Sequence, residues 1–131
     1  MRAQASLEYL LLFAAFFAAL AVLLPIINQT SQQFLSASDT LLAKRITEEV
    51  SEQISLMNFL SDGSKRVFEY YPVKTISVYS KGSNVFFTST EKLYSVETNT
   101  IQLIPKTDFN YKFVVLLQKD KNKIWVQVSP A

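Results

Sequence analysis

The chain has 131 residues and a formal net charge of +2, and it contains neither cysteine nor histidine. These absences exclude disulfides, thiolate chemistry, and the commonest general base and metal ligand. With only two glycines, a phosphate-binding glycine-rich loop is also excluded. The composition therefore allows one small domain with an appendage and predicts no cofactor.

The first element is an apolar segment, residues 9–27, in which no side chain is charged. As a helix it would span about 28 Å, close to the thickness of a bilayer core. It is too long for the apolar region of a cleavable secretory signal, and no small-residue cleavage site follows it. Arg2 is the cation that precedes it. The sequence thus predicts a retained membrane span with its N-terminus in the cytoplasm and the remainder outside.

Glu8 stands at the beginning of this segment. A carboxylate near the membrane interior costs a few kcal/mol on insertion scales, and such groups usually have a partner. Two interpretations remain open. Glu8 lies at headgroup level, where negative charge suits a helix N-terminus, or it pairs with a cation of another chain.

Gln4, Ser6 and Glu8 form the pattern Q-x-S-x-E directly before the apolar run. This stretch resembles the class III signal peptide of archaeal type IV pilins. The resemblance covers about the first 25 residues. It implies that a prepilin peptidase cuts the Ala3–Gln4 bond on the cytoplasmic side, so that residues 1–3 are a leader. Residues 4–30 then remain as a transmembrane helix that becomes the filament core.

The resemblance also implies a role for Gln4 and Glu8 in assembly. Cleavage would give Gln4 a free ammonium, and this group can reach Glu8 of a neighbouring, axially shifted subunit. Each charge is costly alone in an apolar setting, and pairing relieves part of that cost. Processing would then act as an assembly switch. The implied partners are further copies of the chain, the peptidase, and an assembly ATPase with its platform.

Pro25 and Asn28 lie near the end of the apolar segment. Proline removes a backbone donor and clashes with the preceding turn, so the helix is predicted to break or kink at Pro25. Alternatively, Pro25 marks the exit from the membrane. Asn28-Gln-Thr30 matches the N-glycosylation sequon, which makes Asn28 a candidate glycosylation site, although this match is frequent by chance.

Residues 31–62 are predicted to form an amphipathic helix that ends at Asp62-Gly63. Apolar residues recur there at steps of three and four. Lys44, Arg45 and several glutamates fall off this stripe and are interpreted as a solvated face. The stripe consists of Phe34, Leu41, Leu42, Ile46, Val50, Ile54, Met57 and Leu60.

Residues 63–131 are predicted to form an antiparallel β head domain, because the hydrophobic period changes to two and β-branched and aromatic residues increase. Turns are predicted at Lys81–Asn84 and Asp120–Asn122. The helical stripe would cover the apolar face of this sheet, which gives an α+β fold. The predicted strands are Val67–Tyr71, Thr75–Ser80, Val85–Thr90, Lys92–Val96, Thr100–Ile104, Tyr111–Lys119 and Lys123–Ser129.

The sequence predicts no enzyme, because it offers neither a grouped carboxylate pair nor a nucleophile with a base. Four aromatic residues, Tyr70, Tyr71, Tyr79 and Trp125, are interpreted as core or subunit contacts rather than as a ligand site. The favoured interpretation is a structural subunit of an archaeal type IV pilus-like surface filament, used for adhesion. The chain would first be inserted in the cytoplasmic membrane, and no nucleic-acid partner is expected.

Three alternatives remain. The chain could be a minor pilin that primes or tips a fibre, with its basic second half on an anionic cell surface or DNA. It could be a monomeric single-span membrane protein with an extracytoplasmic binding domain. An archaellin-like motility subunit is less favoured, because glycine-rich sequence after the span is missing.

Overall fold

A computed structural model describes residues 1–90 and 92–131, and it confirms the predicted α+β class. The chain forms two compact units, Met1–Phe34 and Leu35–Ala131. One long helix precedes seven strands. Their bounds are α1 Arg2–Met57, β1 Lys65–Tyr70, β2 Ile76–Lys81, β3 Asn84–Thr88, β4 Leu93–Glu97, β5 Thr107–Phe109, β6 Phe113–Asp120 and β7 Lys123–Pro130.

Helix α1 continues through Pro25, so the predicted break there is wrong, while a kink at Pro25 stays a prediction. Proline lacks the N–H that would bond to the carbonyl of Ala21, which removes one backbone hydrogen bond. The preceding turn contains Ala21, Leu23 and Leu24, which are good helix formers. The loss of one bond is therefore tolerated within a 56-residue helix.

The helix ends at Met57, five residues before the predicted stop at Asp62-Gly63. No basic residue lies in its last turn, and a side chain from β6 supplies the missing positive charge. The buried ammonium of Lys119 donates to the carbonyl oxygens of Asn58 at 3.0 Å and Leu60 at 2.7 Å. Cations stabilise the carbonyl end of a helix. The end of α1 is thus set by a long-range contact.

The strands form two antiparallel sheets rather than the single sheet that the sequence predicts. One has the order β1-β6-β7 and the other β4-β3-β2-β5. Both predicted hairpin turns are confirmed, with Lys81 opposite Asn84 and Asp120 opposite Lys123. In the second turn Lys121 and Asn122 have positive φ angles of 50° and 62°, as a two-residue type I′ turn requires.

The predicted strand Thr100–Ile104 is wrong, because these residues form an irregular connection, and β5 begins three residues later. The connection bridges the two sheets. The Gln102 side-chain amide donates to the Ile124 carbonyl of β7 at 2.8 Å and accepts from the Val126 N–H at 3.0 Å. Its backbone N–H donates to the carbonyl of Gly82. The alternation of polar and apolar residues here reflects side-chain hydrogen bonds between the two sheets rather than a strand.

The core of the second unit lies between the strands and one face of α1. The stripe prediction holds for Ile46, Val50, Ile54 and Met57, which are all buried. It fails for Phe34, Leu41 and Leu60, whose exposed fractions are 71%, 68% and 37%. The buried face is rotated toward smaller side chains, with Asp39, Thr40 and Ala43 at its beginning.

Candidate assembly site on the N-terminal helix

The three motif residues lie in the first two turns of α1, and all three are exposed. Gln4 and Glu8 are four residues apart, which places them one above the other on the same helix face. Ser6 lies on the opposite side of the helix, because a separation of two residues corresponds to a rotation of about 200° around the helix axis. The helix therefore brings together the predicted assembly residues and separates Ser6 from them.

The Ala3–Gln4 bond lies inside the first turn of the helix, where the Ala5 N–H donates to the Met1 carbonyl at 3.1 Å. This turn has no acidic side chain to offset its N-terminal dipole. An uncapped first turn frays at low cost. Cleavage of the Ala3–Gln4 bond therefore requires only that one weakly held turn opens.

Glu8 carries its charge without a cation on the same helix face. The two ion pairs found among residues 1–90 and 92–131 join Lys44 to Glu48 and Lys112 to Glu69. The helical neighbours of Glu8 four residues away are Gln4 and Leu12, and both are uncharged. In an apolar environment, such a carboxylate would need a cationic partner, and no side chain one turn away on its own helix face supplies one.

The large apolar side chains that follow Glu8 are mostly exposed. Tyr9, Leu12 and Phe16, for example, keep exposed fractions of 65%, 66% and 58%, whereas Leu20 is half-buried. This is also the one helix, in the described part of the chain, that is long and apolar enough to cross a membrane. Apolar surface of this kind gains about 25 cal/mol per Å² when it leaves water. The segment is suited to a bilayer or to packing against other helices.

The two other predicted positions on this helix are also exposed. Pro25 and Asn28 both lie within continuous α-helix. The hydroxyl of Thr30, which completes the sequon, donates to the Ile26 carbonyl at 2.9 Å. Asn28 therefore lies in a helix rather than in a loop, and the hydroxyl of its sequon residue Thr30 is already hydrogen-bonded.

In the second unit, Asp39 is the residue that sequence reasoning missed. Its carboxylate is 1% exposed and accepts backbone N–H groups of Val73 and Lys74, each at 2.7 Å, and of Thr75 at 3.1 Å. This contact ties the segment before β2 to α1. The sequence did contain a signal for this, because Asp39 continues the helical spacing of the buried residues Ala43 and Ile46 toward the N-terminus.

A groove of about 230 Å³ lies between α1 and β1 in the second unit, lined in part by Leu42, Arg45 and Phe68. At its base the hydroxyl of Tyr70 donates to a Glu49 carboxylate oxygen at 3.0 Å. Burial raises the pKa of Tyr70 above its ordinary value, and the hydrogen bond to Glu49 raises it further. The groove thus lies against the side of β1 that faces α1.

The four aromatic residues interpreted as contacts have different environments. Tyr70 is buried in the core, and Tyr79 is half-buried and stacks on Phe86 at 5.0 Å between ring centroids. Tyr71 is 64% exposed, with the Lys112 ammonium 5.5 Å from its ring centroid. Trp125 is 38% exposed. They do not form one continuous aromatic surface.

Acidic side chains of the second unit are dispersed. Within residues 1–90 and 92–131, no group of three His, Cys, Asp or Glu residues could hold a metal ion. Asp108 accepts a hydrogen bond from the hydroxyl of Ser77, and Asp62 accepts one from the N–H of Asn122. These carboxylates serve strand and turn geometry.

No family model, no curated protein and no solved structure matches this chain. A function must therefore be argued from the chain's own residues.

Proposed function

We propose that this protein is a structural, non-enzymatic subunit of an extracellular filament resembling archaeal type IV pili, which polymerises through α1 and serves attachment. One observation carries the proposal. The carboxylate of Glu8 has no cationic partner on its own helix face, and it stands at the beginning of a long apolar helix segment whose large side chains are mostly exposed.

Before assembly, the apolar part of α1 would reside in the cytoplasmic membrane with its N-terminus inside. A prepilin peptidase would then hydrolyse the Ala3–Gln4 bond. An assembly ATPase and its platform would move the processed subunit into a growing fibre. Helices of neighbouring copies would take the place of lipid around the exposed apolar side chains.

The order of these steps follows from electrostatics. After cleavage, the new ammonium belongs to Gln4, one helical turn from Glu8 of its own chain and within reach of Glu8 of an axially shifted neighbour. A charge buried alone costs several kcal/mol, and a partner offsets much of that cost. With the leader attached, the Gln4 nitrogen is a peptide amide and carries no charge. Unprocessed subunits would therefore be excluded from the fibre.

Replacement of Glu8 tests this function. Glu8→Gln removes the charge and keeps the shape, so processed subunits should accumulate in the membrane while fibre yield falls at least tenfold. Glu8→Asp should keep part of the yield. Glu52→Gln, an exposed acid further along α1, is the matched control and should assemble normally. A processed Glu8→Gln chain that builds fibres in normal amount would contradict the proposal.

A minor-subunit role is the second candidate, and the charge distribution favours it. Residues 63–131 contain ten cationic and five anionic side chains, which suits an anionic surface. The abundance of the chain in sheared fibres separates the two roles. A major subunit would form most of the fibre mass, whereas a minor subunit would be present at a few copies per fibre.

A further inference from the structure

We propose that strand β1 of one copy pairs antiparallel with strand β4 of a second copy, so that the β domains of neighbouring subunits share a continuous sheet. The inference rests on the proposed function, since it concerns how copies meet in the filament. It assigns the contact to two strand edges that, in the described part of the chain, pair with no other strand.

The two edges lie at opposite ends of the β layer. The sheet orders are β1-β6-β7 and β4-β3-β2-β5, and Gln102 joins β7 to the turn after β2. The outer edge of β7 is occupied by the side-chain amides of Asn99 and Gln102. Among the described residues, by contrast, no strand pairs with the outer edge of β1 or of β4. Such edges are templates for pairing with another chain.

The register identifies the backbone groups that each edge presents. The Lys119 N–H donates to the Ser64 carbonyl, so alternate residues from Ser64 onward face β6, and Lys65, Val67 and Glu69 face outward. On β4, the Thr98 N–H donates to the Ser83 carbonyl. By the same alternation, Leu93, Ser95 and Glu97 of β4 face outward.

The directions of the two edges suit a polar filament. β1 begins at the end of α1, because Lys65 lies opposite Gln118, next to Lys119, which contacts Leu60. β4 finishes at the same end, because Asn99, two residues after it, bonds to Asn122 in the β6–β7 turn. β1 and β4 therefore run antiparallel within one copy.

This geometry lets copies of equal orientation pair repeatedly. A neighbour in the same orientation presents its β4 antiparallel to β1, without inversion. The contact uses two different surfaces of the chain, and interfaces of this kind generate open helical filaments. Pairing of β1 with β1 would instead invert one copy and end after two.

Charge selects both the direction and the register. Antiparallel pairing places Lys65 opposite Glu97 and Val67 opposite Ser95. Parallel pairing would place Glu69 opposite Glu97, and like charges facing across strands are destabilising. In the antiparallel register, Val67 and Leu93, which are 59% and 53% exposed, become diagonal neighbours and cover each other.

On the side of β1 that faces α1, there is room for side chains of the incoming strand. The groove of about 230 Å³ between α1 and β1 is lined by Leu42, Arg45 and Phe68, among others. In the proposed register, Tyr94 of the second copy lies directly opposite Phe68. An aromatic pair across strands stabilises such a contact.

Cysteine cross-linking of the full chain tests the pairing, and the chain has no cysteine of its own. Directly opposite residues in an antiparallel pair have Cα atoms about 4.5–5.5 Å apart, within the range for a disulfide. The variant Val67→Cys/Ser95→Cys should therefore give a ladder of covalent oligomers when assembled fibres are mildly oxidised. Val73→Cys/Ser95→Cys is the control, because Val73 is 54% exposed but lies outside β1.

Charge reversal adds a second measurement. Lys65→Glu or Glu97→Lys alone should lower the cross-linking yield about two- to fivefold, and the two together should restore it. Fibres visible by electron microscopy that give no ladder would overturn this inference and leave the proposed function intact. Dimers from Val67→Cys alone would also overturn it, in favour of β1 pairing with itself. A mature chain that remains monomeric and never forms fibres would overturn both.

Discussion

The buried carboxylate of Asp39 accepts the backbone N–H of Val73 at 2.7 Å, across 34 positions of sequence. With the N–H groups of the next two residues, this contact holds the start of β2 on α1. Asp39, a helix residue, thereby accepts the backbone N–H groups of this segment, a role that a residue within the turn itself usually has. The second unit therefore depends on a single acidic side chain near its beginning.

Replacement of Asp39 should destabilise the second unit strongly. Asp39→Ala leaves three N–H groups without their acceptor, and we expect a loss of about 3 kcal/mol in the free energy of unfolding. Asp39→Asn retains one oxygen and should lose less. Urea unfolding of the full chain in detergent measures the change, with exposed Asp120→Asn as the control. Equal stabilities for Asp39→Ala and Asp120→Asn would contradict this role.

The Lys119 side chain should contribute more to the stability of the second unit than the exposed lysines near it. Lys119→Met keeps the aliphatic stem but removes the ammonium from the carbonyls at the end of α1. Hydrogen bonds to a charged group contribute about 1.5–3 kcal/mol to stability. We therefore expect the free energy of unfolding to fall by about 2 kcal/mol. The exposed Lys123→Met should change the unfolding midpoint little. If both variants unfold at the wild-type midpoint, the long-range cap is not stabilising.

The bridge made by Gln102 should be sensitive to a change of one atom. Gln102→Glu replaces the amide that donates to the Ile124 carbonyl by an oxygen that repels it. The side chain is 3% exposed, so the new charge would be costly. We expect the variant to unfold at lower urea concentration than Gln102→Ala. Hydrogen exchange of the Val126 amide should quicken in Gln102→Ala, which removes its acceptor, and unchanged exchange in that variant would contradict the bridge.

The stability of the second unit should fall at alkaline pH through Tyr70. Burial raises the pKa of Tyr70, and its hydrogen bond to Glu49 adds to the shift. A group whose pKa is higher when folded stabilises fully below its unfolded pKa, which is about 10 for tyrosine, and this stabilisation is lost as pH rises above that value. Tyr70→Phe should flatten the decline between pH 9 and about 11. Tyr111→Phe, at an 83% exposed position, should leave the decline unchanged.

Local chemistry predicted much of the fold. The helix, both hairpin turns and the buried strand β6 follow from periodicity, from turn residues such as Gly82, and from a continuous apolar run. The pairing and register of β2 with β3 and of β6 with β7 then follow from these two hairpins. These features depend on residues that are close in sequence.

The features that sequence reasoning missed depend on distant residues. The end of α1 is set by Lys119, and the irregular course of Thr100–Ile104 is set by Gln102 bonding to β7. Pro25 carries a genuine breaking tendency, but one lost hydrogen bond did not end the helix. Sequence also places Gln4 and Glu8 on one helix face, and the continuous helix confirms this placement.

The mass of the N-terminal peptide, measured on protein from surface fibres, tests the central claim most directly. The account predicts that the chain in fibres begins at Gln4 with a free amine, while the membrane pool contains both forms. Fibres built from chains that retain Met-Arg-Ala would contradict the account, because the ammonium would then lie too far from Glu8 of the adjacent copy.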